Sequence, residues 1–200
     1  MKPFQLITIL IVSFIAAATN SYGQSVNDFD PSKITTRKTY IGIGTGLNSV
    51  GVIGVSAEQN LGKISVIGTA GLGSWGYKFC GGARYYFSYP FGKAIGMSYA
   101  LATGHSKVRL DLETLSGTKQ YVNVQLSPVH LINFSFFNSW KLGNRSSRFG
   151  LEIGYSVIIN SGDNFKVLDS GVTLSSTSFK ALRIFQPGGL IIGVSFAFGR

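Results

Sequence analysis

Charge is scarce in this chain. Only 13% of its 200 residues are Asp, Glu, Lys or Arg, against about a quarter in a typical soluble domain. That shortage argues against a long disordered region. A single cysteine, Cys80, excludes an internal disulfide framework, and one cysteine with two histidines excludes a closed zinc site. Proline is sparse too, at 5, beside 26 glycines that follow no collagen period, so the glycine needs a local cause. The longest apolar run, Leu6 to Ala18, falls short of the roughly 20 residues of a spanning helix. Gly42, Gly44 and Gly46 do not form a dinucleotide loop, because Ser49 stands where that fingerprint needs glycine. No cofactor and no metal are therefore expected.

What is present begins with an address. Met1-Lys2 supplies a positive start, the apolar run follows, and Ser21-Tyr22-Gly23 offers small residues for a cut. This is the layout of a secretory signal peptide over 1–23, with Gln24 as the mature N-terminus. No cysteine lies near the cut, which excludes a lipid-anchored lipoprotein. Residues 24–37 are polar, hold Asp28, Asp30 and Pro31, and read as a linker. Residues 38–200 then form one domain.

That domain reads in twos. Ile41, Ile43 and Leu47 alternate with glycine, and Leu190, Ile192, Val194, Phe196 and Phe198 alternate with small residues. Residues 77–89 put Tyr77, Phe79, Tyr85 and Phe87 on one face and Lys78, Cys80, Gly82 and Arg84 on the other. Period 2 is the strand signal. Strands are predicted near 38–47, 50–58, 63–74, 77–89, 94–113, 119–138, 147–160 and 186–199, with one short helix possible at Ser178 to Ile184. Eight up-and-down strands leave both ends on one side, as closure requires. A hairpin within 161–185 would raise the count to ten.

The apolar faces are nearly free of charge over about ten residues per strand, enough to cross a bilayer at a steep tilt. The opposite faces carry Glu58, Lys78, Arg84, Tyr121, Asn123, Gln125 and Glu152 among Gly and Ser, too polar for a dry core. The apolar side therefore points outward, and the fold class expected is all-β, an antiparallel up-and-down transmembrane barrel of eight strands. A secreted soluble barrel of the lipocalin type would need the reverse. Small inward faces at 42–46 and 94–104 suit a narrow lumen. Aromatic girdles are expected from Tyr40, Phe87, Tyr89, Phe91, Phe136, Trp140, Phe149, Phe196 and Phe198 at the rim of the chain ends, and from Trp75, Tyr77 and Phe79 at the other.

The hairpin around the Leu115-Ser116-Gly117 tip has arms of about 20 residues, or ~65 Å, roughly twice what a membrane needs. Its pairing numbers should sum near 233, placing His130 opposite Thr103. Along the fifth strand charge begins at Lys107, Arg109, Asp111 and Glu113, where the bilayer should stop.

Inward charges must be paired or wetted. Arg84 and Glu152 each lie about five residues from the same rim and are expected to bridge directly, plugging the lumen against ion flow. Glu58 and Lys78 lie toward opposite mouths, where water reaches them. The alternative is that water, Tyr86, Tyr121 and Asn123 meet these charges. Lys33, Arg37, Lys63, Lys93, Lys141, Arg145 and Arg148 are scattered over tails and turns without a stacking platform, so no nucleic-acid partner is expected.

The signal peptide, the segment Gly81-Gly82-Ala83-Arg84-Tyr85-Tyr86-Phe87 and the last strand Leu190 to Phe198 make residues 38–200 resemble the small outer-membrane β-barrel family of diderm bacteria. That family includes eight-stranded, porin-like and adhesin-like barrels. The resemblance implies an outer-membrane location, contact with outer-membrane lipid, and handling by the barrel-insertion machinery. Members end in a terminal aromatic, whereas here Gly199-Arg200 follow Phe198. The function expected is non-enzymatic: a plugged lumen, with the 105–120 hairpin and 161–185 loop exposed at the cell surface for structure, adhesion or an extracellular partner. One alternative is a lipid acyl hydrolase or acyltransferase. It would need His105 with Ser106, or His130 with Ser127, yet neighbouring strand residues point apart and Ser127 and His130 are read on opposite faces. Another alternative is a small passive pore.

Overall fold

The computed structural model of the chain describes residues 39–88, 91–143, 147–160 and 162–199. The expected signal peptide at 1–23 and linker at 24–37 lie outside the described residues.

The strands are β1 (Thr39–Leu47), β2 (Gly51–Leu61), β3 (Ile64–Gly73), β4 (Gly76–Tyr86), β5 (Gly92–Ala102), β6 (His105–Glu113), β7 (Lys119–Leu126), β8 (Val129–Leu142), β9 (Ser147–Ile158), β10 (Phe165–Val167) and β11 (Gly189–Gly199). The helix α1 spans Ser176–Phe185, over the region read as a short helix. Eight strands close a barrel in the order β1-β11-β9-β8-β5-β4-β3-β2, with antiparallel neighbours. The eight-stranded all-β barrel read from alternation is thus the fold. The described residues of the 161–185 segment, 162–185, add no hairpin to its wall.

The strands are strongly tilted. Leu47, at the end of β1, pairs with Ile192, then the line runs through Ile153, Phe136, Ile95, Tyr85 and Ile64 to Leu61. Leu61 ends β2 at the opposite rim, so one circuit descends a strand length, the stagger that closure demands. Every residue on that outer line is apolar. The inner line through Tyr40, Glu58, Ile67, Gly82, Ser98, Asn133 and Ser156 is mostly polar or small. The wall therefore has apolar residues outside, with Ile41 65% and Val52 70% exposed, and a polar interior.

Above the wall, the long arms do not run on. β6, β7 and β10 form a separate three-stranded sheet. At the β5–β6 junction Gly104 takes a φ of +74°, which L side chains rarely adopt, and a Cβ there would run into the Leu126 carbonyl. On the other arm Pro128 has no N–H to give a ladder, and Ser127 N–H turns to the Asn164 carbonyl. Leu126 and Val129 are consequently both buried although three residues apart. This reverses the alternation: Val122 and Val124 are buried, while Tyr121 and Gln125 are exposed. Tyr121, Asn123 and Gln125, expected to line the lumen, lie instead on the outer side of this upper sheet. The register also differs by two from that expected, with His130 opposite Leu101: the pairs next to the tip are already one off, Glu113 facing Lys119, and a bulge between His105 and Val108 adds the second.

The upper sheet and α1 share a core. Val122, Val124, Phe165 and Leu182 pack with Trp75, Ala100, Ala102, Val129 and Leu131, the last four of which line the top of the barrel. Sheet and helix therefore form an apolar cap continuous with the upper lumen. Ser175 caps α1 by accepting from Ser178 N–H at 3.2 Å, and Ser178 Oγ accepts from Glu113 N–H at 2.8 Å.

Candidate functional site

The lumen near the rim of the chain ends holds a charged cluster centred on Glu58. Arg84 Nη1 donates to Glu58 Oε2 at 2.8 Å, Arg148 Nη2 donates to the same oxygen, and the Tyr86 hydroxyl donates to Oε1 at 2.7 Å. Arg148 Nη1 also donates to the Tyr86 hydroxyl at 3.0 Å. Each guanidinium lies on an aromatic ring: Arg84 on Phe137 at 3.7 Å and Arg148 on Tyr40 at 4.0 Å. The N–H edge and one face of each cation are thus used, by the carboxylate in plane and the ring above. Glu58, Arg148 and Arg84 are 3%, 4% and 8% exposed. A buried charge survives only when paired and hydrogen-bonded in this way.

This arrangement corrects the expected ion pair. All four predicted residues do face inward, but Arg84 binds Glu58, while Glu152 accepts from Ser49 Oγ at 2.6 Å. Strand tilt is the reason. Ser65 pairs with Asn60 on one side and Arg84 on the other, which brings Arg84 one inward position from Glu58. Counting residues from the rim ignores that stagger. Neither Glu58 nor Lys78 is open to solvent at a mouth: both are buried, and Lys78 Nζ donates to the Asn48 carbonyl in the β1–β2 turn. The residue sequence reasoning missed is Arg148, read as a turn cation. Its parity with Glu152 along β9 was the available signal, because alternation puts both inside.

Between this cluster and the cap lies a cavity of about 40 Å³, bordered by Ser56, Thr69, Ser98, Asn133, Ser135, Ser195 and Glu152. It has room for about three waters among polar partners. At the cap end Trp75 is buried and its Nε1 donates to the Ser127 carbonyl at 2.9 Å. The lumen is therefore obstructed twice, by salt-bridged side chains below and by an apolar core above.

The expected girdles need two corrections. Tyr40 shares the inward parity of Gly42 and lies under Arg148, and Trp75 turns into the cap core. Among the others, Phe87, Trp140, Phe149 and Phe198 are exposed at the rim of the chain ends, and Tyr77 and Phe79 at the cap side; Tyr89 lies outside the described residues. Trp140 and Phe149 stack at 5.9 Å between centroids. His130 Nδ1 lies 2.5 Å from the Tyr99 hydroxyl, and His105 is exposed on β6. On the outer side of the cap, Arg109 covers the Tyr121 ring at 4.6 Å. Asp169 accepts from Asn123 N–H and Nδ2, both at 2.8 Å, tying the 168–175 segment to β7. Those bonds, the side-chain one foremost, hold its carboxyl below the usual range, with Lys107 and Arg109 adding to the effect. No protein-family model matches the chain, and no curated protein or solved structure matches it.

Proposed function

We propose that the chain is a non-enzymatic integral barrel of a bacterial outer membrane, closed to ion flow, whose cap is its working surface on the cell exterior. It reaches that membrane through a cleaved signal peptide and the barrel-insertion machinery, and outer-membrane lipid covers its wall. The observation that carries this reading is the continuous apolar line around the outside of a wall with a charged, hydrogen-bonded interior. Water does not favour contiguous apolar surface beyond a few hundred Å², whereas a bilayer requires it.

The closed lumen supports a role in structure, adhesion or partner binding over a passive pore, since eight strands leave only a narrow interior and the Glu58 cluster occupies it. Function then belongs to the cap, a folded platform of three strands and a helix. Cell fractionation with heat-dependent gel migration tests the location. Recovery in the outer-membrane fraction, with a folded form that migrates faster until boiled, is expected. Recovery as a soluble periplasmic protein overturns the reading. Protease added to intact cells should cut at the Leu115 tip, which is 75% exposed. Cutting confined to the β8–β9 connection would invert the topology.

A further inference from the structure

Helix α1 outruns the sheet it packs on. Ser178 and Leu182 face the cap and are buried, and Phe185 continues the same face. Yet Phe185 is 66% exposed, and Ile184 beside it is 80% exposed. Two large apolar side chains, about 100° apart around the helix axis, are thus both left exposed at the end of the helix. Their position is held. In the turn after α1, Gly188 N–H donates to Asn48 Oδ1 at 3.1 Å, and Asn48 Nδ2 donates back to the Gly188 and Leu190 carbonyls. This ties the helix end to the β1–β2 turn at the cap-side rim. Leu190, the first outward apolar residue of β11, follows directly and is exposed on the wall. The helix end therefore stands where the apolar wall surface stops. Lys180 and Arg183 lie exposed on the rest of its surface, Arg183 paired with Asp163 at 2.7 Å. Apolar side chains adjoined by basic residues around the exposed surface of a helix are the make-up of a helix lying in a lipid interface.

We propose that Ile184 and Phe185 anchor the cap to the outer leaflet, seated at the boundary between acyl chains and headgroups. The inference rests on the membrane reading and adds a role for α1: the cap is held to lipid at the helix end as well as to the barrel through Leu182. Its orientation over the mouth is then set by the membrane plane. A solvent-exposed pair awaiting a protein partner is the competing arrangement, and the test separates the two.

Single cysteines at Phe185, Ile184, Val194 and Leu115, in a Cys80→Ser background, would each carry a polarity-sensitive fluorophore. The full chain is refolded into phosphatidylcholine vesicles bearing nitroxides at shallow or deep acyl positions. All four sites are exposed, so folding is retained. Labels at 185 and 184 are expected to emit to the blue of the Leu115 label and to be quenched most by the shallow nitroxide, with Val194 quenched most by the deep one. Labels at 185 and 184 that behave like Leu115, while Val194 is quenched by lipid, overturn the anchor and leave the membrane reading standing. Water-like behaviour at Val194 as well overturns the membrane reading itself.

Discussion

Glu58 is the one anion between two buried guanidiniums, and removing it is the most informative perturbation of the barrel. Glu58→Ala deletes the acceptor of Arg84, Arg148 and Tyr86 together. Loss of one partner from a buried pair costs about 3–5 kcal/mol, because an uncompensated charge remains. Here two cations remain, 8% and 4% exposed, which pushes the cost upward. Two features push it down. Each guanidinium keeps its aromatic face, on Phe137 and on Tyr40, worth about 0.5–2 kcal/mol. The adjoining cavity of about 40 Å³ also gives water a way to the freed cations. An expected loss of about 3 kcal/mol follows. Replacing the charged trio together, as Glu58→Leu with Arg84→Met and Arg148→Met, should cost less than the single change, since both cations leave with the anion and Glu152 keeps its hydrogen bond from Ser49. Urea unfolding of the refolded barrel, followed by the gel shift between folded and unfolded forms, measures both. A Glu58→Ala barrel within about 1 kcal/mol of the parent, or a triple variant less stable than the single one, would refute the reasoning.

Three further outcomes are expected. Val194→Arg, on the outward face of β11, should cost roughly 2–4 kcal/mol of folding free energy in vesicles, and tolerance equal to that of an Arg at Leu115 would contradict a lipid-facing wall. Gly150→Leu should lower stability by at least about 1–3 kcal/mol, because a Cβ there already lies 2.7 Å from both Phe137 Cζ and Ser195 Oγ. Gly81→Leu, where no atom lies within 4 Å of an added Cβ, should be tolerated, both variants being measured by the urea unfolding used for Glu58→Ala. Finally, the depressed Asp169 carboxyl stabilises the cap above the usual carboxylate range, and that contribution disappears as pH falls through its lowered value. Amide exchange at Asn123 and 168–175 should rise on acidification in the parent and lose that pH dependence in Asp169→Asn.

Alternation by itself determined the wall. Ile41, Ile43, Phe79, Tyr85, Val194 and Phe198 stand outside and Gly42, Arg84, Ala94 and Glu152 inside because side chains on a strand have a strict period of two. The same rule already contained the places of Tyr40 and Arg148, since each shares parity with inward neighbours. Closure of eight strands likewise follows from short turns and a chain that returns to its starting side.

Height inside the barrel and the fold of the cap belong to tertiary structure alone. Which carboxylate meets Arg84 depends on the stagger of the strands, a property of the closed ring that no single strand encodes. The parity reversal at Ser127-Pro128 depends on Ser127 finding the Asn164 carbonyl, from a segment far along the chain. One displaced residue there moves every side chain of β7 to the other face. For the same reason Trp75, Val122 and Leu182 read as an interfacial aromatic, a wall-strand residue and part of a possible short helix within a surface loop, until the cap gathers them into one apolar core with the top of β5 and β8.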